Sequence, residues 1–441
     1  MILMASLLGG LALAWLLVGL VDKFRLGMAL PQALLYVPFK LAWRISDSRI
    51  AIARSAPAPV IYAITHRSRI DPALMLSLLP NDTLHILDER SAAATWLEPW
   101  RELARTIAFN AEHVFVSRRL VRVLKGRGRL AVYFPEAVEP DVKSFRLYRA
   151  VTRIAVQADA RIVPIFIGGA DQLPFSLQPR QGLRRRWFPR LSISVLEPMK
   201  VEELVALNGD GSTSTSNAVF DRVAEARMAA TDLGRGLFHA IRDAADRTGP
   251  SHPIVQDVVA GTMTYRRLFT GARVLGRRLE KETVPAEAVG ILLPNTNGMV
   301  LSLLALWSAG RVVAMINYTA GPASVTAAVR TAVIRKIVSS RAFIEKASLS
   351  DIVAAAETGG AHFLWLEDLG ADVTHWEKLT AALFWRKPLQ RQDAARAAVI
   401  LFTSGSEGTP KAVALSHRSL LANAAQAEAR VTISPADTLL N

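Results

Sequence analysis

Met1 to Val21 form one uncharged, mostly apolar run. About 20 such residues suffice for a helix to cross a bilayer core, so the pattern predicts a membrane-spanning or anchoring helix. A cleavable signal peptide and a buried core helix are the rival readings. Against the first, no Lys or Arg precedes the run and no small-residue cleavage site follows it. Lys23, Arg25, Lys40 and Arg44 come after the segment, which places the rest of the chain in the cytoplasm by the positive-inside rule. Residues 26–43 are apolar but carry Pro31, Pro38 and Lys40, and read as an interfacial segment. Further on, short apolar runs predict strands at Pro59–Ile64, Arg129–Phe134, Arg161–Ile167 and Leu191–Leu196, with helical periodicity between them. Pro72 suits a helix N-terminus, with Ala73-Leu74-Met75-Leu76 behind it. The alternation predicts an α/β domain over residues 45–205. Leu207–Asn217 is a Gly/Ser/Thr-rich, solvated connection, and a helix-rich stretch follows to Arg247. A second α/β region starts near Ser251, with strands at Ala288–Leu293, Arg311–Met315 and Ala397–Phe402.

The chain has 441 residues, enough for two or three domains. Apolar residues make up 51% and mean hydropathy is +0.24, too low for a multi-span transporter. Without cysteine there is no disulfide, thiolate ligand or Cys nucleophile, and the eight scattered His residues predict no metal site. Net charge is +15, with a local peak at Arg184-Arg185-Arg186-Trp187. Such a surface suits nucleic acid, anionic lipid or an acidic protein. No nucleic-acid module is visible, so lipid is the expected partner and nucleic acid is not.

His66 ends the first predicted strand, and Asp71 follows five positions later at the strand-to-helix junction. The pair alone is a weak signal, but its position aims both side chains into a cleft. Imidazole titrates near neutrality and can take the proton of a substrate hydroxyl. A carboxylate on its other nitrogen fixes the tautomer and steadies the imidazolium. This assigns His66 as general base and Asp71 as its orienting partner.

Downstream come Val114-Phe115-Val116-Ser117-Arg118, Phe134-Pro135-Glu136 and Val163-Pro164-Ile165. With His66–Asp71, these blocks resemble the glycerolipid acyltransferase family over residues 55–200. The resemblance implies a substrate-binding role for Arg118, on the glycerolipid phosphate, and for Glu136, and no cofactor for this domain. An arginine fork fits phosphate geometry. The third block departs from the family pattern, since Ala137 and Val138 stand where Gly and a residue leading to Arg are usual. Either Arg146 or Lys143 substitutes for the missing arginine, or the site is altered.

The second constellation is Thr403-Ser404-Gly405-Ser406-Glu407-Gly408-Thr409-Pro410-Lys411, directly after an apolar strand. It is not a Walker A loop. Its small residues let backbone N–H groups approach phosphate oxygens, and Lys411 adds a compact charge. The stretch resembles the phosphate loop of adenylate-forming enzymes. On that resemblance Thr403, Ser404, Gly405, Ser406, Gly408 and Lys411 bind nucleotide, and ATP with Mg2+ is the expected cofactor if the module is complete. Ala412 replaces the usual glycine. The family's later elements would fall beyond Asn441, which marks the chain as a fragment or a degenerate remnant.

The order acyltransferase, Ser-rich joint, adenylation module resembles the bifunctional 2-acylglycerophosphoethanolamine acyltransferase/acyl-[acyl-carrier-protein] synthetase family. Glu225–Ala229, Met315–Gly321 and Trp365–Leu369 add to the match. The implied fold is α/β throughout: an anchor helix (1–25), an acyltransferase domain (26–206), a linker with a helical connection (207–250), and the first part of an adenylate-forming domain (251–441). The implied activity moves an acyl group from an acyl thioester, on acyl carrier protein or CoA, to the free hydroxyl of a lysophospholipid. The implied location is the cytoplasmic side of the bacterial inner membrane. Arg184–Arg186 and Arg190 would dock acidic acyl carrier protein or anionic headgroups. The alternative is a non-catalytic, lipid-binding scaffold.

Overall fold

A strand such as Val-Ile-Tyr-Ala-Ile-Thr has no polar face, so it must be covered on both sides. The computed structural model describes residues 2–109, 114–135, 142–177, 181–207, 217–258, 260–403, 410–431 and 433–440. The chain divides into two compact units, residues 1–231 with 425–436, and residues 232–424 with 437–441.

The first unit opens with helices α1 (Ile2–Leu26), α2 (Leu30–Trp43) and α3 (Ile50–Ser55). Strand β1 (Val60–His66) leads into α4 (Asp71–Leu78), and β2 (Thr83–Asp88), β3 (Arg105–Phe109), β4 (Arg129–Pro135), β5 (Arg161–Gly168) and β6 (Ser192–Val195) follow. They form one sheet in the order β3-β2-β4-β1-β5-β6, parallel except for β6. One face packs on α2, α3 and α4 through Tyr36, Ile50, Leu74 and Met75. The other packs on the helices Val114–Lys125, Val142–Gln157 and Ala218–Ala229. Central β1 is therefore buried from Val60 to Thr65, and only His66 at its carboxyl end is partly exposed.

The expected membrane-spanning helix is corrected here. Among the described residues no helix is long and apolar enough to cross a membrane. The carboxyl end of α1 carries Asp22, Lys23 and Arg25. Asp22 is fully buried and accepts from Lys40 Nζ at 2.5 Å and Arg25 Nη2 at 3.0 Å. Arg25 also reaches Asp47 at 2.6 Å, where the Tyr36 hydroxyl donates at 2.7 Å. That end of α1 is fastened into the unit, while Leu11, Leu13, Leu17 and Val21 stay exposed.

The second unit holds a hairpin, β7 (Pro253–Asp257) with β8 (Gly261–Thr264). Its main sheet comprises β9 (Ala288–Leu292), β10 (Val312–Met315), β11 (Lys336–Ser339), β12 (His362–Trp365), β13 (Ala397–Thr403) and β14 (Lys411–Ser416). The order is β12-β11-β9-β10-β13-β14, parallel except for β14. Helices Tyr265–Glu282 and Asn297–Ser308 cover one face, and Pro322–Thr331 and Ser350–Thr358 the other. Both units are thus mixed α/β, as expected. The Gly/Ser/Thr-rich stretch at 208–216 lies outside the described residues.

Candidate functional site

Parallel sheets present their functional side chains beyond the carboxyl ends of the strands. His66 occupies that place on β1, and α4 begins five residues later with Asp71-Pro72. Proline has no N–H to satisfy in a first helical turn, and a carboxylate there meets free backbone donors. Asp71 turns back instead to the turn that precedes the helix. Its Oδ2 accepts from the backbone N–H of Arg67 at 2.6 Å and of Ser68 at 2.7 Å, and its Oδ1 accepts from Ser68 Oγ at 2.5 Å. None of the three donors is His66. The two side chains are coupled through charge, and His66 Nε2 is buried with no hydrogen-bond partner among the described residues. Burial pushes the Asp71 carboxyl up from the usual range; His66 and the three donors oppose this only in part.

The loop between them is held from behind. Arg67 is buried, lies 3.2 Å from Asp171 and stacks 5.1 Å over the Phe166 ring. Its carbonyl accepts from Leu177 N–H at 2.9 Å and from Ser176 Oγ at 3.2 Å. These contacts fix the turn that carries His66 and Asp71 against residues 166–177. This role was not legible in advance, because Arg67 reads as a surface charge until its partner 104 positions away is known.

Of the remaining expected residues, Arg118 stands exposed on the helix Val114–Lys125, and Arg146 is exposed on Val142–Gln157. Glu136, with Ala137 and Val138, lies outside the described residues; its neighbour Pro135 pairs with His66 across β4 and β1. In the second unit Thr403 and Lys411 face each other as the last pair of the antiparallel β13–β14 ladder, both exposed. Ser404, Gly405, Ser406 and Gly408, between them, lie outside the described residues.

Residues 49–168 match the acyltransferase family, and residues 241–441 match the AMP-binding enzyme family. The chain fuses an acyltransferase domain to an AMP-binding domain. His66, Asp71, Arg118 and Glu136 fall in the acyltransferase domain, and Thr403–Lys411 in the AMP-binding domain. The chain is 28% identical over 155 residues to the nonribosomal peptide synthetase agiA of Aspergillus flavus, covering 34% of this chain and 2% of that protein. Among solved structures it is similar to VinN with 3-methylaspartate, at 21% identity and TM-score 0.36, covering 44% of this chain and 51% of that one. It is also similar to the N-terminal subdomain of Klebsiella oxytoca NpsA, at 22% identity and TM-score 0.34, covering 43% and 44%. The chain thus spans about half the length of these structures.

An AMP-binding domain implies use of ATP. The described flanks of the loop fit that group. The β13–β14 pairing puts Thr403 and Lys411, a hydroxyl donor and a cation, at one exposed end of the ladder.

Proposed function

We propose that the acyltransferase domain transfers an acyl group from an acyl thioester to the free hydroxyl of a lysophospholipid, with His66 as general base. The observation that carries this reading is an imidazole nitrogen without a partner among the described residues, at the carboxyl end of the central strand and beside a fully buried carboxylate. His66 takes the hydroxyl proton as the alkoxide oxygen attacks the thioester carbonyl. The tetrahedral adduct collapses, the C–S bond breaks, and the proton passes from the imidazolium to the departing sulfur. The charge of Asp71 steadies the imidazolium between these two steps. Arg118 and Glu136 contact the lipid's phosphate and glycerol in this reading.

Lipid as the acceptor is supported by the surface. Trp187 and Phe188 are 67% and 62% exposed directly after Arg184, Arg185 and Arg186, which are exposed too. Trp43 anchors this loop by donating to the Trp187 carbonyl at 2.8 Å. Aromatic side chains beside cations suit the headgroup layer of a bilayer. The exposed apolar side chains of α1 suit a helix lying on that layer. The cytoplasmic face of a bacterial inner membrane is the location this predicts. The AMP-binding domain would activate the fatty acid with ATP and Mg2+, with acyl carrier protein or CoA as the thiol. When bound, ATP supplies the leaving pyrophosphate, which the Thr403–Lys411 loop would steady.

Purified protein with an acyl thioester and a panel of lysophospholipids tests the reading. His66→Ala should lower the transfer rate by about 10²–10⁴, the usual worth of a positioned base. Equal transfer by the variant overturns the role of His66 as base, and lipid binding without turnover by the parent overturns the transferase and leaves the scaffold.

A further inference from the structure

Two buried polar side chains on the face that carries His66 have no part in the reaction above. Ile64 of β1 lies opposite Tyr133 of β4, His66 lies opposite Pro135, and His85 of β2 lies opposite Ala131. Side chains alternate along each strand, so His66, Tyr133 and His85 share one face, with Tyr133 between the other two. The Tyr133 ring meets the His66 ring edge-on, with centroids 5.6 Å apart at 63°. Its hydroxyl lies 2.9 Å from His85 Nδ1. Both residues are sealed, His85 completely and Tyr133 to 8% exposure. Burial drives the His85 pKa down to about 3, so the ring is neutral and one of its nitrogens accepts. A core that needed only volume would use Phe and Leu here, because a buried polar group is destabilising unless bonded.

We propose that Tyr133 and His85 are positioning residues for the His66 imidazole: His85 pins the Tyr133 hydroxyl, and the pinned ring fixes the plane of the base. Leu in place of His85, or Phe in place of Tyr133, would remove that pin from the His66 ring, since Asp71 accepts its three hydrogen bonds from Arg67 and Ser68. The proposal rests on His66 being the base.

The experiment uses the full chain labelled with ¹⁵N-histidine, as parent, Tyr133→Phe, His85→Leu and the double variant. Tyr133→Phe keeps the ring and removes only the hydroxyl. Misplacing a catalytic group by a fraction of an ångström should lower kcat about tenfold while KM stays within about twofold. The His66 ring resonances, assigned by their loss in His66→Ala, should move or broaden in each variant. The double variant should be no slower than either single one, because one interaction is being removed. His85→Gln, which can still pair with the hydroxyl, should recover most of the rate. Unmoved His66 resonances with unchanged kcat overturn the proposal. So do additive losses that track a lowered unfolding midpoint, which mean packing alone. Full activity in His66→Ala would instead sink the base reading, and the resonance shifts would still report the positioning contact.

Discussion

Asp71 has no solvent exposure and three donors aimed at it. The donors favour its charge, but burial wins, and its carboxyl titrates above the usual range. A carboxyl whose folded pKa exceeds its unfolded one adds stability below the unfolded pKa and loses it as pH rises through the folded one. Asp47 has the opposite sign: burial pushes it up, yet Arg25 and Tyr36 together bring it below its ordinary value. Comparing variants isolates one residue. Asp71→Asn should flatten, relative to the parent, the fall in urea midpoint as pH rises above about 4, the ordinary carboxyl value, and a parallel pair of curves would contradict the assignment. His66 and Asp71 were legible because a strand end followed by Asp-Pro is a local pattern. Their neighbours were not. Tyr133 sits in an apolar run and His85 in a mixed one, and only strand register brings them to one face. That Asp71 accepts from Arg67 and Ser68 and not from His66, as expected, was equally beyond the sequence, since backbone donors at a turn carry no residue signature.

The same division holds for the elements. Strands β1, β4 and β5 were readable because burial on both faces demands unbroken apolar runs. Strands β2 and β3 lie toward one edge, and Thr-Leu-His-Ile-Leu-Asp has neither an apolar run nor a clean alternation. Strands β11 and β12 are short apolar runs that a buried helix segment could equally supply, so periodicity alone does not single them out. Helix α1 was readable as an apolar helix, but its fastening was not: Asp22 gains meaning only from Lys40 on α2. Asp22→Ala strips a partner from Lys40 and Arg25, which are part-exposed, so the loss should be about 1–3 kcal/mol rather than that of a fully buried pair. Hydrogen exchange should rise over residues 18–26 while α4 stays protected. Unchanged exchange there would show that apolar contacts alone hold α1.

For the molecule as a whole, a net charge of +15 is by itself ambiguous between lipid, acidic protein and nucleic acid. What separates them is what stands beside the charge. Nucleic-acid binding would need cations on a groove or platform, and its affinity would fall with salt whatever the neighbouring aromatic residues. At Arg184–Arg186 the neighbours are Trp187 and Phe188, exposed and held out by Trp43. Exposed aromatic rings of this size are stabilised by inserting at the headgroup layer, and each nearby arginine adds electrostatic attraction to anionic lipid. Replacing Arg184, Arg185 and Arg186 by alanine should weaken binding to phosphatidylglycerol vesicles by at least about tenfold and flatten its salt dependence. Replacing Trp187 and Phe188 by alanine should weaken binding to phosphatidylglycerol and phosphatidylcholine vesicles alike, because insertion does not depend on headgroup charge. Vesicle flotation at two salt concentrations measures both. If the arginine variant loses affinity for duplex DNA but not for vesicles, the patch serves nucleic acid and the lipid reading of this surface fails. If both variants float like the parent, α1 alone holds the protein to the bilayer, through Leu11, Leu13 and their exposed neighbours.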